Sequence, residues 1–368
     1  MRGNQKQQQQ VPIPSYPFPY SFWSYNNFET KELEAYLSSQ SQTLQTQIPK
    51  TCIQDGYQQL CKILNQHPHP VLHAKQAKQQ QQITNLLGEQ SIDSIKNTSE
   101  ITQFLVFQNT QIDAITLILL QFLWPLYQNL NVFKLYNIKF SETEMEILQK
   151  IIENNKLIKV FIEYTNIIPQ INCPTLTQLY LRGNQITQSK LNQIFQPGTL
   201  QALQVIELSD NPLGKDSIQI LANFMSKKNS VQYIGLSRCE IAAWEDLKPL
   251  IETIGPEKLN EAKLQAYREL EEKRDKQIKD QLKAKKKEVV AEIELEPLTQ
   301  NADGSYSIIH NQQLQILFLA VNPFKDSDKD QIERFIQANP NVYVVLQGCS
   351  FETKTKERLK KRYNNIVF

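Results

Sequence analysis

The densest concentration of chemistry-bearing side chains is CKILNQHPHPVLH, which places Cys61, His67, His69 and His73 within one short segment. Three imidazoles at this spacing could present ring nitrogens to zinc, which takes four N, S or O ligands in a tetrahedron. Pro68 and Pro70 stiffen the loop, however, and no acidic or cysteine ligand completes a familiar spacing, so no metal and no cofactor is expected. The run Asp326, Asp328, Asp330 copies the opening of a calcium loop. Gln331 stands where that loop needs glycine for its sharp turn, and Gln337 where a bidentate glutamate would close the shell. These aspartates are expected instead in the first turn of a helix, where the positive end of the dipole favours them.

The remaining catalytic patterns are absent from the sequence. There is no phosphate-cradling GxxxxGK[ST], no GxSxG elbow and no HExxH pair, and His310 is the only histidine outside the cluster. General base chemistry would rest on carboxylates that nothing pairs, so no catalytic residue and no enzymatic activity is expected.

Composition narrows the classes further. Forty basic and 38 acidic residues in 368 give a net charge of +2, which argues against a dedicated nucleic-acid binder. The longest dense apolar stretch, Ala114 to Trp124, is far shorter than the roughly 20 residues a membrane span needs. Residues 1–10 carry no apolar signal core, so the default compartment is the cytoplasm. Five dispersed cysteines form no disulfide framework and are expected as reduced thiols.

The elements that would carry any function emerge from internal self-similarity. Leu176–Ile186 (LTQLYLRGNQI) recurs as LQVIELSDNPL from Leu203, VQYIGLSRCEI from Val231 and LQILFLAVNPF from Leu314. Weaker copies start at Ile101, Leu130, Leu157 and Asn341, making eight, with successive steps of 29, 27, 19, 27, 28, 83 and 27 residues. A step of 27 to 29 leaves room after a strand and turn for a helix of about three turns. Segments 141–155, 214–229 and 327–340 have the helical apolar spacing that fits. Asn184, Asn211 and Asn322 share one slot after the strand, with Cys239 and Cys349 in the same slot as buried small residues. The 19-residue step, containing Pro169 and Pro174, has no room for a full helix.

The pattern resembles the ribonuclease-inhibitor type of leucine-rich repeat. That resemblance implies an α/β leucine-rich repeat solenoid, with repeats 1–6 over 101–256 and repeats 7–8 over 313–351. The long step implies an insertion over 257–312. Within it, Glu257 to Glu288 holds 8 acidic and 11 basic residues without Gly or Pro, which predicts a long charged helix. Alternation over 288–298, a turn at Asn301, Asp303 and Gly304, and then 305–310 predict a β-hairpin.

Flanking these, residues 1–30 read as an extended partner-binding segment. Val11 to Phe28 combines four prolines with seven aromatics, including Tyr16, Phe18, Tyr20, Phe22, Trp23 and Tyr25. Residues 31–100 read as a helical N-terminal cap. Residues 352–368, with six basic residues against two acidic, read as a basic C-terminal helix that either closes the array or meets an acidic surface such as a tubulin tail.

With chemistry set aside, surface remains. Residues flanking the central strand leucine face the concave side, which places Phe161, Tyr180, Arg182, Glu207 and Phe318 there as exposed contact residues. Lys285, Lys286 and Lys287 add a cationic site on the charged arm. A Lys/Glu-rich helical insertion before a late, clean repeat also resembles leucine-rich repeat proteins of the ciliary axoneme, particularly its central apparatus. The expectation is a non-catalytic scaffold or adaptor in a large protein assembly, with tubulin or microtubule-associated proteins as partners. No nucleic acid, membrane or small-molecule substrate is expected. The alternative is a soluble regulatory module, an inhibitor or GTPase regulator, acting through its concave face.

Overall fold

The structure is a computed structural model that describes residues 29–73, 103–196, 199–226, 230–254, 256–284, 295, 298–300, 303–309 and 313–368. It is a mixed α/β, solenoid-like fold built on parallel strands, and it divides into two compact units, Met1–Leu176 and Thr177–Phe368. The aromatic segment from Tyr16 to Tyr25 and the lysines at 285, 286 and 287 lie outside the described residues.

The first unit begins with helices α1 (Thr30–Ser39), α2 (Ser41–Gln47) and α3 (Ile53–Ile63), then one helical turn, α4 (Pro70–His73). On α3 the buried Ile53, Tyr57, Leu60 and Cys61 fall on one helical stripe. That stripe meets α5 (Ala114–Leu123), which is buried on most of its surface and is therefore nearly all apolar in sequence. The Tyr127 hydroxyl donates to the Pro49 carbonyl at 2.6 Å, tying the helical group to the segment after α5.

Strands β1 (Gln103–Gln108), β2 (Leu130–Tyr136) and β3 (Lys159–Glu163) pair in parallel. The chain returns from β2 to β3 through α6 (Glu142–Asn154), started by a reciprocal Ser141/Glu144 capping box. The first repeat sits one residue later than the sequence suggests. Leu105 and Phe107 are the buried pair, aligned with Phe133 and Leu135, while Phe104 and Val106 are half-buried on the other face. Four consecutive apolar residues hide the period of two, so a one-residue slip is invisible in the sequence.

The second unit alternates strands and return segments. These are β4 (Gln178–Tyr180), α7 (Gln188–Ile194), β5 (Val205–Glu207), α8 (Gly214–Met225), β6 (Tyr233–Gly235) and α9 (Lys248–Glu252). The insertion follows as β7 (Pro256–Lys258), α10 (Glu261–Ala284), β8 (Leu298–Gln300) and β9 (Tyr306–Ile309). The series resumes with β10 (Ile316–Phe318), α11 (Lys329–Ala338), β11 (Tyr343–Val345), α12 (Thr353–Arg362) and β12 (Ile366–Val367). Its parallel sheet runs β4-β5-β6-β10-β11-β12, so β6 pairs directly with β10 as though the insertion were absent.

Two features differ from expectation. The insertion is a three-stranded antiparallel sheet in which β9 pairs with both β8 and β7, the latter recruited from residues expected in the charged helix. Pro256 accounts for this, since it sits at the start of a strand that needs no donor from it. The first hairpin strand expected over 288–298 lies outside the described residues except for Leu295 and Leu298, and the described strand is Leu298–Gln300. Finally, residues 352–368 are not helix alone: after α12 the chain adds β12 beside β11, and the Phe351 and Phe368 rings meet edge to face at 5.4 Å.

One backbone device recurs through both units. After each of β1 to β6, β10 and β11 a residue adopts the left-handed conformation: Asn109, Asn137, Tyr164, Gly183, Asp210, Arg238, Val321 and Gly348, with φ between 51° and 75°. It turns the chain out of the strand and delivers the next residue to the interior. In the second unit that next residue is Asn184, Asn211, Cys239, Asn322 or Cys349, all buried.

Candidate protein-binding face

Parallel strands in the second unit place Leu179, Ile206, Ile234, Leu317 and Val344 in the core, all at most 1% exposed. Alternation puts their neighbours on the opposite face. One row across it is Gln178, Val205, Tyr233, Ile316 and Tyr343; the next is Tyr180, Glu207, Gly235, Phe318 and Val345. Tyr233 and Phe318 stack with ring centroids 6.5 Å apart, and Tyr343 is 52% exposed beside them. Two residues further on, Ser209, Ser237 and Ala320 form a floor of small, buried side chains.

A charge network borders the aromatics. Glu207 is buried; its Oε1 accepts from the Ser209 N–H at 2.8 Å and its Oε2 from the Tyr233 hydroxyl at 2.8 Å. Burial first, and the neighbouring carboxylate second, push the Tyr233 phenol far above its ordinary value, so it stays protonated and donates. Arg182 reaches Glu207 at 3.9 Å and Asp210 at 3.6 Å, while Arg238 reaches the other Asp210 oxygen at 3.2 Å. Both arginines are substantially exposed, so these pairs add little stability and serve to orient the guanidinium groups. Gly235 leaves room for this arrangement, because a Cβ at that position would meet the Glu207 carboxylate and oblige it to shift.

The core beneath holds the face in place. Asn211 Nδ2 donates to the Leu181 and Leu208 carbonyls at 3.0 and 2.7 Å, and its Oδ1 accepts from the Asn184 and Ile186 N–H groups at 2.9 and 3.0 Å. Asn322 repeats the arrangement, reaching back over the insertion to the Leu236 carbonyl and the Cys239 N–H. The Cys239 thiol donates to the Leu208 carbonyl at 3.3 Å, and burial pushes its pKa up to about 12. Asp328 likewise bridges the insertion, accepting from the Trp244 N–H at 3.1 Å.

In the first unit Phe161 is buried, where the sequence places an exposed contact residue. Its ring lies 5.3 Å from the Lys134 ammonium, which also pairs with Glu163 at 3.8 Å, and the alkyl stem and ring cover each other. Glu207 departs in the same way, because its partners hold it down against the sheet. Tyr180, Arg182 and Phe318 do lie together on the second unit's face, each partly exposed. The face residues that sequence reasoning missed are Tyr233, Ile316, Tyr343 and Val345. Alternation locates Tyr233, Ile316 and Tyr343, which precede the first inward residue of their strands, whereas the contact residues read from the sequence flank the second inward position; Val345 lies in the last and weakest repeat, which contributed no contact residue.

Of the histidine cluster, the His73 side chain lies outside the described residues and the other two differ in setting. His69 is buried, its Nε2–H donating to the Gln111 carbonyl at 2.7 Å and its Nδ1 accepting from the Val71 N–H at 3.3 Å, whereas His67 is exposed. Burial also lifts the Cys61 thiol to about 12. Among the described residues no three His, Cys, Asp or Glu side chains are grouped to hold a metal, and no helix is long and apolar enough to cross a membrane. Comparison with protein-family models and with curated proteins finds no match.

Proposed function

We propose that this chain is a leucine-rich repeat protein that acts without catalysis, binding a partner protein on the open face of the second unit's sheet. The observation that carries this is a partly exposed aromatic and apolar face of parallel strands. Such sheets are ordinarily buried on both sides, yet here Tyr343 is 52% exposed and Tyr233, Ile316, Phe318 and Val345 are half-exposed on the face opposite the core. Aromatic anchors beside oriented arginines are what central contact residues of protein interfaces consist of. The repeat assignment is supported by the eight strand-ending left-handed residues and by the buried Asn/Cys slot that follows the five of them in the second unit.

The role we infer is that of a scaffold or adaptor in a large assembly. The ciliary axoneme is the assembly proposed, on the resemblance of the charged insertion followed by a late repeat, with tubulin or microtubule-associated proteins as partners. The exposed cations of α12, Lys354, Arg358, Lys360 and Lys361, favour an acidic surface at that end. The aromatic segment at residues 11–28 is the proposed anchor.

The test is localisation of the tagged protein in a ciliated cell, with detergent and high-salt extraction of isolated cilia. The wild-type protein is expected to stay with the axoneme. A variant lacking residues 1–28 should fold but fail to incorporate, and Phe318→Asp with Tyr343→Asp should fold but wash out. Extraction of the wild-type protein at modest salt would overturn the axonemal reading. The open face would then favour the second reading, a soluble inhibitor or GTPase regulator working through that surface, which loses its complex in the Phe318/Tyr343 variant and keeps it when residues 1–28 are removed.

A further inference from the structure

Helix α12 carries Lys354, Lys356, Arg358, Lys360, Lys361 and Arg362 against one acid, Glu357. Lys354, Arg358 and Lys361 stand at i, i+4 and i+7, so they form one stripe along the helix. All three are exposed, and among the described residues none has an ion-pair partner. The rest of the helix is committed to its own unit. Leu359 is fully buried, Arg362 reaches Glu333 of α11 at 3.1 Å, and the neighbouring Tyr363 hydroxyl accepts from Gln337 Nε2 at 2.7 Å.

Helix stability does not account for this stripe. Lys361 lies in the last turn and complements the negative end of the dipole, but Lys354 sits at the positive end. Helices α6, α8 and α11 open with Glu142 and Glu144, with Asp216 and with Asp330, whereas the first turn of α12 holds no acid. Lys354 and Arg358 also form a like-charged i, i+4 pair, which destabilises a helix. An anionic partner laid along the stripe relieves both penalties.

The surroundings favour one class of anion. A helix that enters a nucleic-acid groove must be free on most sides, and α12 is packed through Leu359 and tied to α11. It also holds no aromatic residue on which a base could stack. Its only apolar residue is the buried Leu359, so it offers nothing to the acyl boundary of a bilayer. The carboxylates of a peptide need neither feature. In an extended chain alternate side chains lie about 6.7 Å apart on one edge, near the roughly 6 Å rise from Lys354 to Arg358.

We propose that the stripe of Lys354, Arg358 and Lys361 binds an extended, carboxylate-rich peptide segment of a partner protein, with acidic residues at alternate positions facing the three cations. This rests on the reading of that end as a contact for an acidic surface, and gives the surface its chemistry and form.

The experiment titrates the full chain against fluorescein-labelled (Glu-Ser)4, followed by anisotropy at about 0.05 M salt, where screening is weak. Saturable binding is expected. It should be about tenfold weaker when Lys354→Gln, Arg358→Gln and Lys361→Gln are combined, as the loss of three exposed ion pairs implies. Those substitutions remove like-charge repulsion, so the variant stays folded. Lys354→Arg with Lys361→Arg should bind as the wild type does, and (Gln-Ser)4 should not bind. Phe318→Asp with Tyr343→Asp should also bind as the wild type does, so a failure of the open face and a failure of this stripe are read separately. No saturable binding of (Glu-Ser)4, or equal binding by the triple variant, would overturn the proposal. So would tighter binding of a charge-matched oligothymidylate or of phosphatidylserine vesicles that the triple variant loses.

Discussion

Replacing Asn211 probes the internal ladder that fixes the repeats to one another. Asn211→Ala removes the acceptor of two buried backbone N–H groups, those of Asn184 and Ile186, and the donor to the Leu181 and Leu208 carbonyls. Carbonyls have spare lone pairs and tolerate the loss, so the cost is dominated by the two stranded donors. At about 1 to 3 kcal/mol for each unsatisfied buried group, the expected destabilisation is about 4 kcal/mol, a large share of the roughly 5 to 15 kcal/mol that holds a domain folded. The chain supplies its own control. In the next repeat Cys239 fills the slot, its thiol donating to the Leu208 carbonyl at 3.3 Å and lying within reach of the Asn211 N–H. Asn211→Cys should therefore recover about half of the loss. Urea unfolding followed by far-UV circular dichroism measures all three proteins. The reasoning fails if Asn211→Ala lies within about 1 kcal/mol of the wild type, or if the cysteine variant is no more stable than the alanine variant.

Val321 holds a β-branched side chain at φ 59° on an exposed turn, a conformation that costs about 1 to 2 kcal/mol for an ordinary L-residue and far less for asparagine. Val321→Asn, copying Asn109 and Asn137, should raise the thermal midpoint by about 2 °C in differential scanning calorimetry; a fall would show that the valine's contacts outweigh its strain. Burial holds the His69 imidazole below its ordinary value, against the opposing pull of the Gln111 carbonyl and Asp113. The unfolded chain then binds the extra proton first, so stability drops as pH falls below about 6.5 and levels off under the folded value. The loss in urea midpoint between about pH 7.5 and pH 5.5 should shrink in His69→Gln, and an unchanged slope would refute the assignment. Gly235→Ala should destabilise by about 2 kcal/mol through overpacking against Glu207, and the cost should vanish in a Glu207→Ala background. Equal costs in the two backgrounds would mean that the carboxylate is not what the added methyl meets.

Elements with strict periodicity were legible in the sequence, and those defined by long-range neighbours were not. Leu179, Leu181 and Asn184 announce a strand and turn because each type is demanded by burial or by a backbone bond, and Cys239 and Cys349 could be placed by slot alone. The run Phe104 to Phe107 was misphased because all four residues are apolar and only burial of Leu105 and Phe107 sets the register. Strand β12 was hidden by a short step, since Ile366 pairs with Val344 only 22 positions away, whereas Tyr343 pairs with Ile316 at 27. Strand β7 was hidden because two of its three residues are charged and read as helix. On the candidate face, Tyr180 and Phe318 were found by position, but the burial of Glu207 depends on Tyr233 and on the missing Cβ of Gly235, neither of which is adjacent in sequence.

These observations separate two kinds of constraint within one repeat. The inward leucines, the left-handed residue and the Asn/Cys slot answer to the backbone of the adjacent turn, so their choice is narrow wherever the repeat occurs. The outward residues answer to the neighbouring strand about 4.8 Å away, and they come as cross-strand pairs: Glu207 with Gly235, Glu207 with Tyr233, and Tyr233 with Phe318. The last pair spans the insertion, with Tyr233 on β6 and Phe318 on β10, held together by the backbone pairing of those strands and by Asn322 and Asp328 reaching back to Leu236, Cys239 and Trp244. An insertion placed between those two strands thus leaves the row of parallel strands unbroken while adding a long charged helix and an antiparallel sheet to the chain.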